Sequence, residues 1–320
     1  MQIVFALVAL VVGFVLLVKG ADWFVEGSAG IANKFGIPQI VIGLTIVAMG
    51  TSMPEAAVSI SAALRGSAEI TIGNVVGSNI MNILVILGLT AVVCQIAVQK
   101  TTIHYEIPMV IGVTILLAVM GLQNNIISRA EGVILLACMV VYMLYLLRLA
   151  KRGVVENEEM DAYAKQVSFG RLILLVVVGV AAIIFGSHVA VEAASAIARI
   201  FGISERFIGL TIVAFGTSLP ELVTTLTAIR KKESSLSVGN IIGANIMDLT
   251  LIMPLCSLIQ GRAMLVERQG MLLDIPGCLI ICAAALVPAL ASGRFKRWIG
   301  FLIGGLYIVY LVVMFVCFGA

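Results

Sequence analysis

The segment GLTIVAMGTSMPE at residues 43–55 recurs as GLTIVAFGTSLPE at residues 209–221, with eleven of thirteen positions identical. Each copy ends on a proline–glutamate pair, Pro54–Glu55 and Pro220–Glu221, inside an otherwise apolar region. A carboxylate at membrane depth is costly unless it has a partner, so an acid there marks a functional site. Two such acids in duplicated surroundings imply a cation site shared between two halves of one chain.

The duplication extends outward from this pair. At a constant offset of 166 residues, Gly20, Val25, Glu26, Phe35 and Gly36 match Gly186, Val191, Glu192, Phe201 and Gly202. Downstream, GNVVGSNIMN at 73–82 matches GNIIGANIMD at 239–248, and no gap is needed between residues 20 and 82.

Composition sets the environment. The 320 residues are 61% hydrophobic and 12% charged, with a mean hydropathy of +1.16. A soluble domain carries about twice that charged fraction. Apolar runs of roughly 17–25 residues span a bilayer as helices. Ten are legible, at 2–18, 38–64, 71–98, 106–122, 130–149, 170–195, 204–229, 237–260, 271–291 and 298–318. The expected fold is therefore an all-α polytopic membrane protein. Its halves are 1–149 and 169–320, each of five transmembrane helices, joined by a polar linker at 150–168. Five is odd, so the second half enters the membrane from the opposite side. The result is a pair of inverted repeats, an architecture that places substrate near the bilayer midplane.

Fourteen of the twenty Lys and Arg residues fall on one side of this ten-span layout. The positive-inside rule makes that side cytoplasmic and puts both termini outside. The first apolar run lacks a basic leader and precedes Lys19, which fits a first transmembrane helix better than a cleaved signal peptide. The linker acids Glu156, Glu158, Glu159 and Asp161 lack calcium-loop spacing and read as a solvated cluster. The six cysteines form no CxxC pair and no Cys/His metal spacing. With two histidines, no HExxH and no Ser/His dyad, an intramembrane enzyme is not expected. A cation channel and a transport-inactive scaffold are the remaining rivals.

The chemistry gathers around the prolines. Pro54 has no backbone donor and crowds the carbonyl of Gly50, so the helix should break there. The break should free carbonyls near Ala48 and Met49. Thr51 and Glu55 share a face if the helix continues, and Ser52 lies between them. The second copy supplies Ala214, Thr217, Ser218 and Glu221. Ser78 and Asn82 share a face of the partner segment, and Asn82 is matched by Asp248. All these donors are oxygens, a set that suits hard cations such as Ca²⁺ and Na⁺. Glu55, Glu221 and Asp248 together would carry three negative charges if ionised.

GTSMPE and GTSLPE, with GNVVGSNIMN and GNIIGANIMD, resemble the two α-repeat signatures of the sodium/calcium exchangers, within the cation/Ca²⁺ antiporter superfamily. The short central linker is similar to that of prokaryotic members. The resemblance implies alternating-access antiport in the cell membrane, with Na⁺ entry expelling Ca²⁺. It implies no cofactor, no nucleic acid and no obligatory protein partner beyond the lipid bilayer. By motif position, Glu55 and Glu221 would be central Ca²⁺ ligands shared with Na⁺. Thr51, Thr217, Ser52, Ser218, Ser78, Asn82 and Asp248 would complete the set, with Ala48 and Ala214 offering carbonyls. It also implies that the two least polar helices, here 2–18 and 170–185, slide across a rigid core. Ala244 stands where family members often carry Ser, which bears on Na⁺ affinity. Coupling to H⁺, or to K⁺ through Asp248, stays open at this point.

Overall fold

The computed structural model describes residues 2–94, 96–151, 167–202, 214–267 and 269–318. The first helix, α1, covers Gln2–Phe35. Gln39–Thr51 (α2) and Met53–Leu64 (α3) form a bent pair with an angle of 52° between them. Then come Ala68–Val93 (α4), Thr102–Gln123 (α5), Arg129–Ala150 (α6) and Phe169–Ile200 (α7). Ala214–Thr217 (α8) and Leu219–Arg230 (α9) follow. Ser234–Ile259 (α10), Gly270–Ser292 (α11) and Arg297–Phe318 (α12) complete the described chain.

Seven of these helices are long and apolar enough to cross a membrane, or eight with the bent pair taken as one span. The chain is thus a multi-pass, all-helical membrane protein. The expected span at 204–229 begins in residues outside the described set, and α12 qualifies only as a shorter apolar helix, Arg297–Val313. Most of the linker, with its acidic cluster, also lies outside the described residues.

Two span boundaries need correction. The first helix does not stop near residue 18 but runs to Phe35, and the sixth expected span runs over Phe169–Ile200 rather than 170–195. The reason is visible in α1 beyond Lys19. Leu17, Ala21, Phe24, Val25, Ser28, Ala29 and Ala32 are all buried, and their spacing keeps one apolar face inward for four more turns. The polar residues Asp22 and Glu26 lie off that face and meet Arg230 and Lys231. Beyond the stretches 2–18 and 170–185, α1 and α7 carry Asp22, Glu26 and Glu192 in their second halves.

The chain divides into two compact units, Met1–Met53 with Leu149–Asn240, and Pro54–Arg148 with Ile241–Gly319. Each takes segments from both halves of the sequence. In the first unit, α1 and α7 pack antiparallel on a glycine stripe. A Cβ at Gly13 would lie 2.7 Å from the backbone nitrogen of Ala190, one at Gly20 2.8 Å from that of Ile183, and one at Gly27 2.8 Å from the carbonyl of Leu172. Seven-residue glycine spacing lets the two backbones touch, as small residues do between helices in lipid. α2 crosses the start of α10 in the same manner. A Cβ at Gly43 would lie 2.7 Å from the Leu236 carbonyl, and one at Gly239 2.8 Å from the Gly43 Cα.

In the second unit, short strands tie the loop ends. β1 (Ile96–Ala97) pairs antiparallel with β4 (Arg294–Phe295), and β2 (Ile126–Ile127) with β3 (Met264–Leu265). The elements also repeat along the chain. π-helical turns at Asn82–Leu87 and Thr102–Glu106 return as Asp248–Ile252 and Gly270–Asp274. π-turns are rare and often accompany functional sites.

Candidate functional site

The proline break occurs one residue before Met53. Ser52 leaves the helical region (φ −80°, ψ 7°), and Leu219–Arg230 begins after a similar Ser218 (φ −90°, ψ 4°). Both glutamates therefore sit in the first turn of a helix. There the partial positive charge of the helix N-terminus favours a carboxylate.

Within the first unit, five side chains meet. The Ser52 hydroxyl donates to Glu221 Oε1 at 3.1 Å. The Thr51 hydroxyl lies 3.0 Å from Asn240 Oδ1 and 3.3 Å from the Ala48 carbonyl, and its single proton serves one of them at a time. Asn240 Nδ2 donates to the Glu221 carbonyl at 3.3 Å and to Thr225 Oγ1 at 3.0 Å. Glu221 is 0% exposed, and its Oε2 has no hydrogen-bond partner among the described residues. The Ala48 carbonyl is not left free by the break. It accepts the Ser52 N–H at 3.0 Å as well as facing Thr51, because the turn at Ser52 stays tight enough to close.

Within the second unit, Asn74 Nδ2 donates to the Glu55 carbonyl at 3.1 Å and to Ser59 Oγ at 2.8 Å. This is the bracket Asn240 makes, at an offset of 166 residues. Asn79 Nδ2 donates to Asp248 Oδ2 at 3.3 Å and to the Val75 carbonyl at 3.0 Å. Asn82 Nδ2 donates to Asn245 Oδ1 at 3.0 Å. Glu55, Asn79, Asn82, Asn245 and Asp248 are all buried. The side-chain oxygens of Ser78, Asn79 and Asn82 accept nothing among the described residues. Asn82 and Asp248 each open a π-helical turn.

Thr51, Ser52 and Glu221 converge as one cluster. Glu55, Asn82 and Asp248 belong to the other unit, where the amides of Asn74, Asn79 and Asn245 hold the Glu55 backbone, the Asp248 carboxylate and Asn82 respectively. Thr217 lies in α8 and Ser218 precedes α9. Ala214 opens α8. Ala244 is buried. No three His, Cys, Asp or Glu side chains gather as a metal-binding group among the described residues. Asn74, Asn240, Ser59 and Thr225 were missed in the sequence, although the paired GN in both partner segments was a signal.

Buried carboxylates beside amide and hydroxyl oxygens, on broken and π-turned helices, form a donor set for hard cations inside a multi-pass membrane protein. That places the chain in the class of membrane ion transporters. The sequence profile of the sodium/calcium exchanger protein family matches residues 5–148 and 171–316, and the chain belongs to that family. It is 39% identical to the putative antiporter CaxA of Alkalimonas amylolytica over 91% of this chain and 92% of that protein. It is 31% identical to the sodium/calcium exchanger MaX1 of Methanosarcina acetivorans over 96% of this chain and 97% of that protein. A solved structure of the sodium-calcium exchanger NCX_Mj, soaked with Na⁺ and Sr²⁺, superposes with a TM-score of 0.84. It is 31% identical and covers 97% of this chain and 99% of that one. Cation/Ca²⁺ antiport is the activity these likenesses support.

One consequence concerns Asn240. It spans Thr51, Thr225 and the Glu221 backbone, so Asn240→Ala should loosen the turn that aims Glu221. Ca²⁺ affinity should fall by about 10–100-fold, the range seen when groups that orient a metal ligand are removed. Equilibrium Ca²⁺ binding to the purified variant checks this, and unchanged affinity would remove Asn240 from the site.

Proposed function

We propose that the chain is a secondary active antiporter that exchanges Na⁺ for Ca²⁺ by alternating access in the cell membrane. Na⁺ entry would drive Ca²⁺ out, with both termini extracytoplasmic. Ten spans arranged as two inverted five-helix repeats are part of this reading, supported by the 166-residue repeat and the returning π-turns. Residues 150–168 would be a cytoplasmic linker between halves at 1–149 and 169–320.

The ion ligands in this reading are Glu55, Glu221, Asp248, Asn82, Thr51, Thr217, Ser52, Ser218 and Ser78, with carbonyls of Ala48 and Ala214. The observation that carries it is Glu221, wholly buried, with one oxygen held by Ser52 and the other without a donor among the described residues. A cation supplies what that oxygen lacks. Ca²⁺ and Na⁺ both need the carboxylates, so one displaces the other. An empty, ionised site would be unfavourable to move across the membrane, and this favours exchange over leak. Equilibrium binding tests it: Na⁺ should displace radioactive Ca²⁺ competitively from purified protein. Ca²⁺ binding indifferent to Na⁺ would reject the competition.

The repeat-related glycines support alternating access. Gly239 is buried and pressed against Gly43, whereas its counterpart Gly73 is exposed, with no atom within 4 Å of a Cβ there among the described residues. Equivalent sequence in unlike surroundings is what a two-state device produces in one of its states. By the distribution of Lys and Arg, the Gly73 end faces outward. A Gly73→Cys variant in a cysteine-free background should react with a membrane-impermeant maleimide added from the outside. Labelling from the cytoplasmic side alone would reverse this assignment.

K⁺ dependence is a second reading with its own support. The chain is 34% identical to the human sodium/potassium/calcium exchanger 2 over 40% of its length, and Asp248 is buried in the partner segment.

A further inference from the structure

Helix α5 opens on the π-turn Thr102–Glu106, which ends on a carboxyl group that belongs to neither oxygen cluster. Glu106 is 0% exposed. Its Oε1 accepts a hydrogen bond from the Tyr145 hydroxyl of α6. Its Oε2 has no hydrogen-bond partner among the described residues, and no Lys, Arg or His side chain pairs with it there. The Tyr145 ring lies 5.2 Å from that of Tyr105 and 6.3 Å from that of Tyr142. Tyr142 is buried and its hydroxyl has no partner among the described residues, and Thr102, four residues before Glu106, is buried as well.

The repeat supplies an internal control. Asp274 ends the corresponding π-turn 168 residues later. There Oδ1 accepts from the Tyr310 hydroxyl at 2.9 Å and Oδ2 from Gln269 Nε2 at 3.4 Å. Both oxygens of Asp274 have donors. In the first half Thr101 stands where Gln269 does, and no donor lies within hydrogen-bond distance of Oε2 among the described residues.

We propose that Glu106 is a proton-binding site, a neutral carboxylic acid that carries its hydrogen on Oε2 inside the Tyr105–Tyr142–Tyr145 cluster. An ionised carboxylate buried with a single donor loses its hydration at a cost of several kcal/mol. A divalent cation such as Ca²⁺ would need six to eight oxygens, and this cluster offers one carboxyl group and a few hydroxyls. A proton needs one oxygen. Placed on Oε2 it leaves Oε1 as the acceptor for Tyr145, and turns an acceptor-only group into a donor beside hydroxyls that can accept. The titratable groups facing Glu106 from α5 and the elements packed against it are His104 and Tyr105 of α5, Arg129, Glu131, Cys138, Tyr142, Tyr145 and Arg148 of α6, Asp248 and Cys256 of α10, and Asp274, Cys278 and Cys282 of α11. The cations among them, His104, Arg129 and Arg148, are exposed, and none pairs with Glu106 among the described residues.

Infrared difference spectroscopy of the full-length protein in lipid at neutral pH tests this. The spectrum of wild type minus Glu106→Gln should contain the C=O stretch of one neutral carboxylic acid, shifted by D₂O and present in Na⁺ and in Ca²⁺ alike. Tyr145→Phe removes the donor to Oε1 and should move that band to higher frequency without loss of intensity. Should Glu106→Gln fail to fold, the comparison of wild type with Tyr145→Phe decides alone, and absence of the shift overturns the proposal. Carboxylate bands only would overturn it as well, and so would a C=O band erased by added Na⁺, which would mark a metal-cation site. The site does not depend on the exchange reading, whose failure would appear as absent flux with the band intact.

Discussion

Glu221→Gln should lower Na⁺-driven Ca²⁺ uptake by at least about 100-fold in reconstituted vesicles, an effect at or beyond the upper end of that for groups that merely orient a metal ligand. The amide still offers an oxygen to the Ser52 hydroxyl and nearly preserves volume, so the turn at Ser52 and the start of α9 survive the change. What is lost is the negative charge buried beside Thr51, Ser52, Asn240 and Thr225. Glu55→Gln, the matching change in the other unit, has the same outcome through its own buried carboxylate. The measurement is initial-rate uptake of radioactive Ca²⁺, with protein folding checked by size-exclusion chromatography. Uptake at the wild-type rate in either well-folded variant would remove that glutamate from the ion path.

Gly239→Ala strikes the packing rather than the chemistry. The added Cβ would lie 2.8 Å from the Cα of Gly43, 2.9 Å from the carbonyl of Ile40 and 2.9 Å from the nitrogen of Leu44. All three are backbone atoms, so no side chain can swing aside, and α2 and α10 must separate. Overpacking of this kind costs about 1–3 kcal/mol. Because Asn240 is the next residue, the separation also moves the Asn240 amide away from Thr51 and Glu221. The expected result is a lowered thermal midpoint in detergent together with a large loss of uptake. At Gly73 a Cβ would meet nothing within 4 Å, so Gly73→Ala should leave the midpoint unchanged. Equal midpoints for the two alanine variants would contradict the asymmetry between them.

Much of the site was legible because duplication amplifies weak signals. Pro54 and Pro220 announced a helix interruption, and the structure breaks at Ser52 and Ser218. The buried positions of Glu55, Glu221, Asn82 and Asp248 followed from acids and amides set in apolar runs. The full length of α1 was not legible, because Lys19, Asp22 and Glu26 look like the end of a span when counted by hydropathy. The charges of Asp22 and Glu26 are instead met by Arg230 and Lys231, far away in sequence. Nor could the sequence reveal which oxygens were already occupied. The Ala48 carbonyl, expected to be free, closes its own turn. The asparagines that hold the Glu55 and Glu221 backbones are polar residues on helix faces whose partners are set by tertiary packing. The division into compact units was hidden for the same reason, since segments of one half pack on segments of the other.

The measurement that bears most directly on the central claim is radioactive Ca²⁺ flux in proteoliposomes with Na⁺, K⁺ and H⁺ gradients imposed one at a time. Na⁺/Ca²⁺ exchange predicts Ca²⁺ accumulation against its gradient when Na⁺ runs the other way, with no accumulation under a pH gradient alone. Accumulation driven by protons in the absence of Na⁺, or Ca²⁺ movement that never exceeds passive equilibrium under any gradient, would contradict it.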